Sequence, residues 1–278
     1  WQAGLVPLTL ASIERAIELN GVGVEGNLRG FFWGRMAAHD LDAVRGVLGA
    51  SKREKTKLPA TLEEIVSHRM SHLSAYQNDA LAAKFKALVK RTADAEKAAC
   101  GTDTLAKTIA QNYAKLLSYK DEYEVARLYA APEFRQKLAA QFDGKMKLSL
   151  HLAPPIMPGV DASTRRPKKR EFGSWIFPVF KFLSAFKGLR GTAFDIFGYT
   201  NERKTERALI TEYEATVASL IENLTSDNHA LAVEIANLPN MIRGFGPVKL
   251  DNIAAAKVAE AELLELWKGT NSTLMAAE

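Results

Sequence analysis

The sequence predicts a mainly α protein, a multi-helix bundle with one small β-hairpin or sheet element. Three observations predict it. Apolar residues recur at three- and four-residue spacing through most of the 278 residues, the signature of helices with one buried face. Capping and breaking residues fall where those runs start and stop. Alternation of period two is convincing in one stretch, KMKLSLHLAPP at 145–155, as a half-buried strand requires.

Thr9 can cap a helix carrying Leu10, Ile13, Ala16 and Ile17, and Asn20-Gly21 supplies its left-handed stop. A second helix runs from about Val22 to Ala38 with Val24, Leu28, Phe31, Phe32 and Met36 on a wide apolar face, and Leu41 to Leu48 forms a third. The charged GASKREKTKLPA that follows reads as a linker, assigned to residues 51–60. Thr61 and Glu64 make a capping box, and the apolar series Leu62, Ile65, Val66, Met70, Leu73, Ala80, Leu81, Phe85 and Leu88 predicts one long helix ending at Cys100-Gly101. Thr102 or Asp103 caps the next, with Leu105, Ile109, Tyr113, Leu116 and Leu117; another spans Tyr123 to Tyr129, and Pro132 opens one holding Phe134, Leu138 and Phe142.

After the 145–152 alternation, APPIMPG turns the chain and RRPKKREFGSW can return as the partner strand, because an isolated strand leaves its backbone groups unpaired. From Trp175 the aligned apolar positions are Val179, Phe182, Leu183, Phe186 and Leu189. Thr200 caps a long helix through Leu224; Ser226 or Asp227 starts another that Pro239 ends; Val248 to Trp267 is the last, with a frayed tail.

The composition, 47% hydrophobic and 25% charged, is that of an ordinary soluble protein. A net charge of +5 from 37 basic and 32 acidic groups is too small to argue for nucleic acid. No apolar run approaches the ~20 residues that cross a bilayer, so the expectation is a soluble protein with no membrane, and the low cysteine usage points to a reducing cytoplasm. The single cysteine, Cys100, excludes an internal disulfide, a CxxC pair and an iron–sulfur cluster held by this chain alone. It follows two alanines with no histidine nearby and reads as a small hydrophobe rather than a nucleophile.

His68 and His72, with Glu64 a turn earlier, have metal-ligand spacing, but helical geometry sets them opposite the Leu62, Val66, Met70, Leu73 stripe, on the solvated face. RRPKKR at 165–170 is the densest basic cluster: a solvated turn, or a contact for an anionic ligand or an acidic neighbouring domain. IRGFGPVK at 242–249 and LRGTAFDIFGYT at 189–200 set Arg243, Lys249 and Arg190 among glycines, where a backbone can approach an anion. Neither matches a nucleotide-binding fingerprint, and tight corners between helices are the competing reading. These three are the anion-site candidates; no catalytic or metal-binding residue is assigned.

The stretch VPLTLASIERAIELNGVGVEGNLRGFFWGR at 6–35 resembles the end of the gamma-type domain in 2-oxoacid:ferredoxin oxidoreductases. The pattern N-x-x-x-F-x-x-G falls on Asn27, Phe31 and Gly34, and the indolepyruvate branch's Leu-Asn-Gly and Trp-Gly-Arg elements fall on Leu19–Gly21 and Trp33–Arg35. YKDEYEVARLY, KREFG, LRGTAFDIFGYTNERKTERALI and IRGFGPVK resemble, in the same order, the helical C-terminal domain of fused indolepyruvate enzymes.

That resemblance implies a parent enzyme that oxidatively decarboxylates indolepyruvate or a similar aryl 2-oxoacid to an acyl-coenzyme A. Its cofactors would be thiamine diphosphate with Mg, 4Fe-4S clusters and coenzyme A, with ferredoxin as electron acceptor. None of these is expected in this chain, which lacks the thiamine motif and the cysteines, so no catalytic residue carries over. Residues 1–50 would finish a gamma-type domain whose body precedes Trp1, and 61–278 would form a structural domain beside the catalytic domains of the same polypeptide. Trp1 and Phe31–Trp33 could form an apolar patch at a cut terminus that pairs copies artificially, which allows a homo-oligomer. Two other classes compete: a free-standing helical interaction module with a basic anion-binding turn, and a metal enzyme using Glu64, His68 and His72.

Overall fold

The computed structural model describes residues 1–47, 59–142, 144, 147–153, 159, 168–244 and 246–275. Among these the protein is mainly α, twelve α-helices and one two-stranded antiparallel sheet, in two compact units, Trp1–Leu58 and Pro59–Glu278. The predicted linker lies outside the described residues except for Pro59 and Ala60.

In the first unit α1 (Leu10–Asn20) starts at Thr9, whose hydroxyl accepts the Ser12 N–H at 3.1 Å. It stops at Gly21, at φ 67°, where a Cβ would be strained. Helices α2 (Val24–His39) and α3 (Leu41–Val47) follow. Asn27 donates back to the Val22 carbonyl at 2.8 Å, and Phe31 lies 5.9 Å from the Trp1 ring. Among the described residues of this unit, Val44 is the one buried hydrophobic side chain.

The second unit opens with the capping box. Thr61 accepts the Glu64 N–H at 3.2 Å, and the Glu64 carboxylate accepts the N–H groups of Thr61 and Ala60 at 3.2 and 2.8 Å. The helix predicted from Leu62 to Cys100 is two helices: α4 (Leu62–Tyr76) ends before Gln77, and Asn78 caps α5 (Asp79–Cys100) by accepting the Leu81 N–H at 2.9 Å. The two helices pack against each other. Apolar spacing continues across the break, Leu73 to Ala80, so periodicity alone misses it; Ala80 is exposed.

Helix α6 (Thr104–Leu117) is capped from a neighbour. Asp103 occupies the cap position but pairs with Lys107 rather than with a backbone N–H, and the fully buried Glu96 of α5 accepts the N–H groups of Leu105 and Ala106, each at 2.8 Å. Thr102 and the His229 ring bond the same carboxylate at 2.8 Å. Burial pushes the Glu96 carboxyl up, but these donors, the two backbone groups foremost, more than offset it and hold it below the usual carboxylate value.

Then come α7 (Glu122–Ala130), α8 (Pro132–Gln141) and strands β1 (Leu150–Leu152) and β2 (Arg170–Phe172), which pair in the register Leu150 to Phe172 and Leu152 to Arg170. The return strand is where the sequence places it; β1 is shorter than the alternation, whose Lys145 and Met146 lie outside the described residues. Helix α9 (Ile176–Ala185) and a 3-10 turn (Lys187–Leu189) lead to α10 (Asn201–Glu222), capped by Thr200. Helix α11 (His229–Asn237) begins after Asn228, not at Ser226 or Asp227: Asn228 bonds the Thr225 N–H and the Asn223 carbonyl, folding the preceding residues into a turn. The last helix, α12 (Pro247–Met275), continues past Trp267 into the stretch predicted to fray, whose last three residues lie outside the described ones.

Two cores hold this unit. The larger joins α4, α5, α6, α10, α11 and α12, with Phe85, Tyr113 and Tyr213 stacked at centroid distances of 6.1 and 6.2 Å. Their polar tips are satisfied: Tyr113 donates to Glu214 at 2.6 Å and Tyr213 to the Ala236 carbonyl at 2.9 Å. The smaller joins α7 to α9 through Ala126, Ile176, Phe177 and Phe180, with Phe172 from the hairpin.

Candidate functional site

The segment from Trp175 to Tyr199 holds two buried charges, Arg190 and Asp195, beside several of the unit's most exposed aromatics. Arg190 follows the 3-10 turn, and its guanidinium grips Asp121 with two bonds, Nε to Oδ2 at 2.5 Å and Nη2 to Oδ1 at 2.8 Å. Its Nη1 donates to the Tyr76 carbonyl at 2.8 Å, and the group lies 3.7 Å above the Tyr76 ring. Both partners are buried. Asp121 Oδ1 also accepts the Glu124 N–H and so caps α7. Arg190, proposed from the sequence for an anionic ligand, has its anion within the protein.

The rest of this corner is organised by Asp195. Its carboxylate accepts the Gly191 N–H at 2.8 Å and the Phe197 N–H at 3.2 Å. Gly191 sits at φ 76°, and a Cβ at Gly198 would come within 2.6 Å of Asp195 Oδ2. Burial and Asp195 push the Tyr123 phenol up to about 12. So LRGTAFDIFGYT is a tight structural corner, and it leaves Phe194, Ile196 and Tyr199 exposed.

Helix α9 departs from expectation. Its buried residues are Ile176, Phe177 and Phe180, which pack toward α7. The aligned positions Val179, Phe182 and Phe186 face outward with Trp175, Phe182 being 67% exposed and Trp175 61%. Counted at 100° per residue, Trp175, Pro178, Val179, Phe182, Ala185 and Phe186 fill one continuous arc with no charge in it, and Lys181 stands at its border. The sequence shows two apolar stripes here, and the one left uncovered carries Trp175, Phe182 and Phe186.

The profile of a family of unknown function, DUF6537, matches residues 62–262. The chain belongs to that family. No curated protein and no solved structure matches it. The DUF6537 span begins at the first residue of α4 and takes in the hairpin, α9, the Asp195 corner and most of α12.

Within the same DUF6537 span the other two anion candidates lie at the IRGFGPVK corner. Lys249 donates to Glu206 at 2.5 Å, and Arg243 bonds the carbonyl of Asn240 at 2.9 Å. Gly244, at φ 91°, leaves room where a Cβ would meet Val248 at 2.9 Å. Lys115 donates to the Pro239 carbonyl at 2.7 Å, and burial together with the charges of Arg243 and Lys249 lowers its pKa. Arg243 and Lys249 thus share a field with Lys115, which sequence spacing did not suggest, whereas Arg190 is bound into its own pair with Asp121.

The metal candidates separate. Glu64 is spent in the capping box, His68 is exposed, and His72 lies against Tyr76 at 6.4 Å. Among the described residues no group of three His, Cys, Asp or Glu is placed to hold a metal ion. The Cys100 thiol points to the Thr225 carbonyl at 3.6 Å, and burial with the Glu96 charge pushes its pKa up, away from a reactive thiolate. Of the RRPKKR turn, Arg165 to Pro167 lie outside the described residues; Lys168, Lys169 and Arg170 are exposed. Among the described residues no helix is long and apolar enough to cross a membrane.

Proposed function

We propose that this chain is the helical C-terminal part of an indolepyruvate-type 2-oxoacid:ferredoxin oxidoreductase, where it serves assembly rather than chemistry. The observation that carries this reading is the first unit, which has three helices and, among its described residues, the single buried hydrophobic side chain Val44. Helices with so little buried surface do not hold together alone, because burial must offset the entropy of ordering them. Leu5, Leu19, Phe32, Trp33 and Met36 stay exposed and call for another protein surface. The resemblance of residues 6–35 to the end of a gamma-type domain supplies that surface as the body of the same domain. The second unit fits a supporting role because Arg190, Lys249 and Glu96 are engaged inside it.

Thiamine diphosphate, Mg, clusters and coenzyme A would then belong to other parts of the parent. One cysteine does not fit a cluster that takes four. The test is purification of the native polypeptide with an antibody against residues 62–262, followed by cofactor analysis and an assay of ferredoxin reduction by indolepyruvate and coenzyme A. The reading expects thiamine diphosphate, iron and that activity in the purified polypeptide. A polypeptide with no cofactor and no 2-oxoacid oxidation would refute it.

A further inference from the structure

Helix α9 carries apolar residues on two sides, interrupted only by Lys181 and Ser184, and helices apolar on more than one face belong in an interior. One side is already buried in the smaller core; the other, from Trp175 to Phe186, is not. Its rings are set against one another, Trp175 against Phe172 at 5.8 Å and Phe182 against Phe186 at 4.9 Å, so they stand as fixed projections. Rigid exposed aromatics of this kind are the anchors around which protein interfaces form.

The charges beside this face have one predominant sign. The described residues of the 132–187 stretch include eight Lys and Arg against two acidic residues, Glu133 and Glu171. Lys168 and Lys169, just before β2, and Arg170, its first residue, are exposed on the chain that leads into Trp175, and Lys181 borders the apolar arc. We propose that the outward face of α9 docks a folded protein whose contact surface is apolar at its centre and acidic around it. The proposal stands apart from the parent-enzyme reading, since it needs only α9 and the hairpin.

A second copy fits poorly, because a twofold interface sets the same patch on both partners and would oppose like charges. Helices that lie on membranes carry their charge on the side opposite the apolar one. In α9 that opposite side is Ile176, Phe177 and Phe180, buried.

The test places photoreactive benzoylphenylalanine at Phe182 of the full chain in the source cells and sequences what it captures. Expected is a protein segment rich in Asp and Glu around apolar residues, with the yield falling about tenfold in a Lys168→Glu, Lys169→Glu, Arg170→Glu variant as the rim charges invert. Trp175→Ser should lower the yield as well. Both variants should melt with the unsubstituted chain, because the changed side chains are exposed. Capture of this chain itself, of lipid, of a segment without acidic excess, or of nothing would overturn the proposal. So would Trp175-dependent binding to phosphatidylcholine–phosphatidylglycerol vesicles.

Discussion

Glu96→Gln removes one charge and changes no shape, and the structure fixes its cost. In the native protein Oε1 accepts from Leu105, Thr102 and His229, and Oε2 accepts from Ala106. Glutamine can accept on one side only. Its amide group must face either the Leu105 or the Ala106 N–H, and the site is fully buried, so no solvent reaches the orphaned donor. A buried donor left unsatisfied costs about 1–3 kcal/mol, and the remaining bonds lose their charge assistance, so the total should be about 3 kcal/mol. For a unit of this size that lowers the melting temperature by roughly 6–12 °C. The pH dependence has a definite sign. A carboxyl whose folded pKa is depressed contributes stability above its unfolded pKa and loses it as pH falls through the folded value. The gap between native protein and variant should therefore be full at pH 7 and narrow below pH ~4. Urea unfolding of both chains at pH 7 and at acid pH measures it. A gap under about 0.5 kcal/mol at pH 7, within the range of ordinary surface changes, would refute the assignment of Glu96 as the cap of α6.

Gly198→Ala drives a Cβ to 2.6 Å from Asp195 Oδ2, so the corner must open; expected are a loss of about 1–3 kcal/mol and faster proteolysis between Arg190 and Tyr199. Lys249→Ala leaves Glu206, itself buried, without its 2.5 Å partner. A loss of about 2 kcal/mol in thermal unfolding is expected; an unchanged melt would leave Lys249 free for the anion role instead. Arg190→Lys keeps the charge but cannot make two bonds to Asp121 and a third to Tyr76. It should cost about 3 kcal/mol, measured the same way.

Local signals carried most of the fold. Thr9, Thr61 and Thr200 cap helices as read, because a hydroxyl reaching back to a free N–H is decided within four residues. The hairpin was legible in its alternation, since period two has one structural meaning. What failed depended on distance. The Asn78 break hides inside an apolar rhythm that survives it. The cap on α6 comes from Glu96, nine residues before the N–H it serves, on another helix. For α9 the sequence holds two apolar stripes, and which one is buried is settled by α7, whose contact with it no spacing rule reveals. The partners of two anion candidates were hidden in the same way: glycine and arginine side by side are local facts, but Asp121 and Glu206, which engage Arg190 and Lys249, come from elsewhere in the chain.

The Arg190–Asp121 pair makes sense through what it positions. Burying two charges costs several kcal/mol, and replacing such a pair with apolar side chains is often neutral, so stability alone is a weak reason to keep it. Apolar contacts would leave the corner free to slide, whereas a fork that bonds both carboxylate oxygens and a helix-end carbonyl admits one placement. Gln77 adds a bond to the Arg190 carbonyl at 3.4 Å, and Lys187 donates to the carbonyls of Ser74 and Ala75, so the end of α4 holds the exit of α9 at several points. Those carbonyls sit at a helix C-terminus, where cations are favoured. The segment so fixed includes Phe186 at one end and Phe194, Ile196 and Tyr199 beyond it, all exposed. A protein surface that must meet another without first ordering itself gains from such fixing, because side chains already set in place lose less entropy on contact. The buried charges and the uncovered aromatics thus belong to one arrangement, in which the polar interior fixes the backbone that carries the apolar exterior.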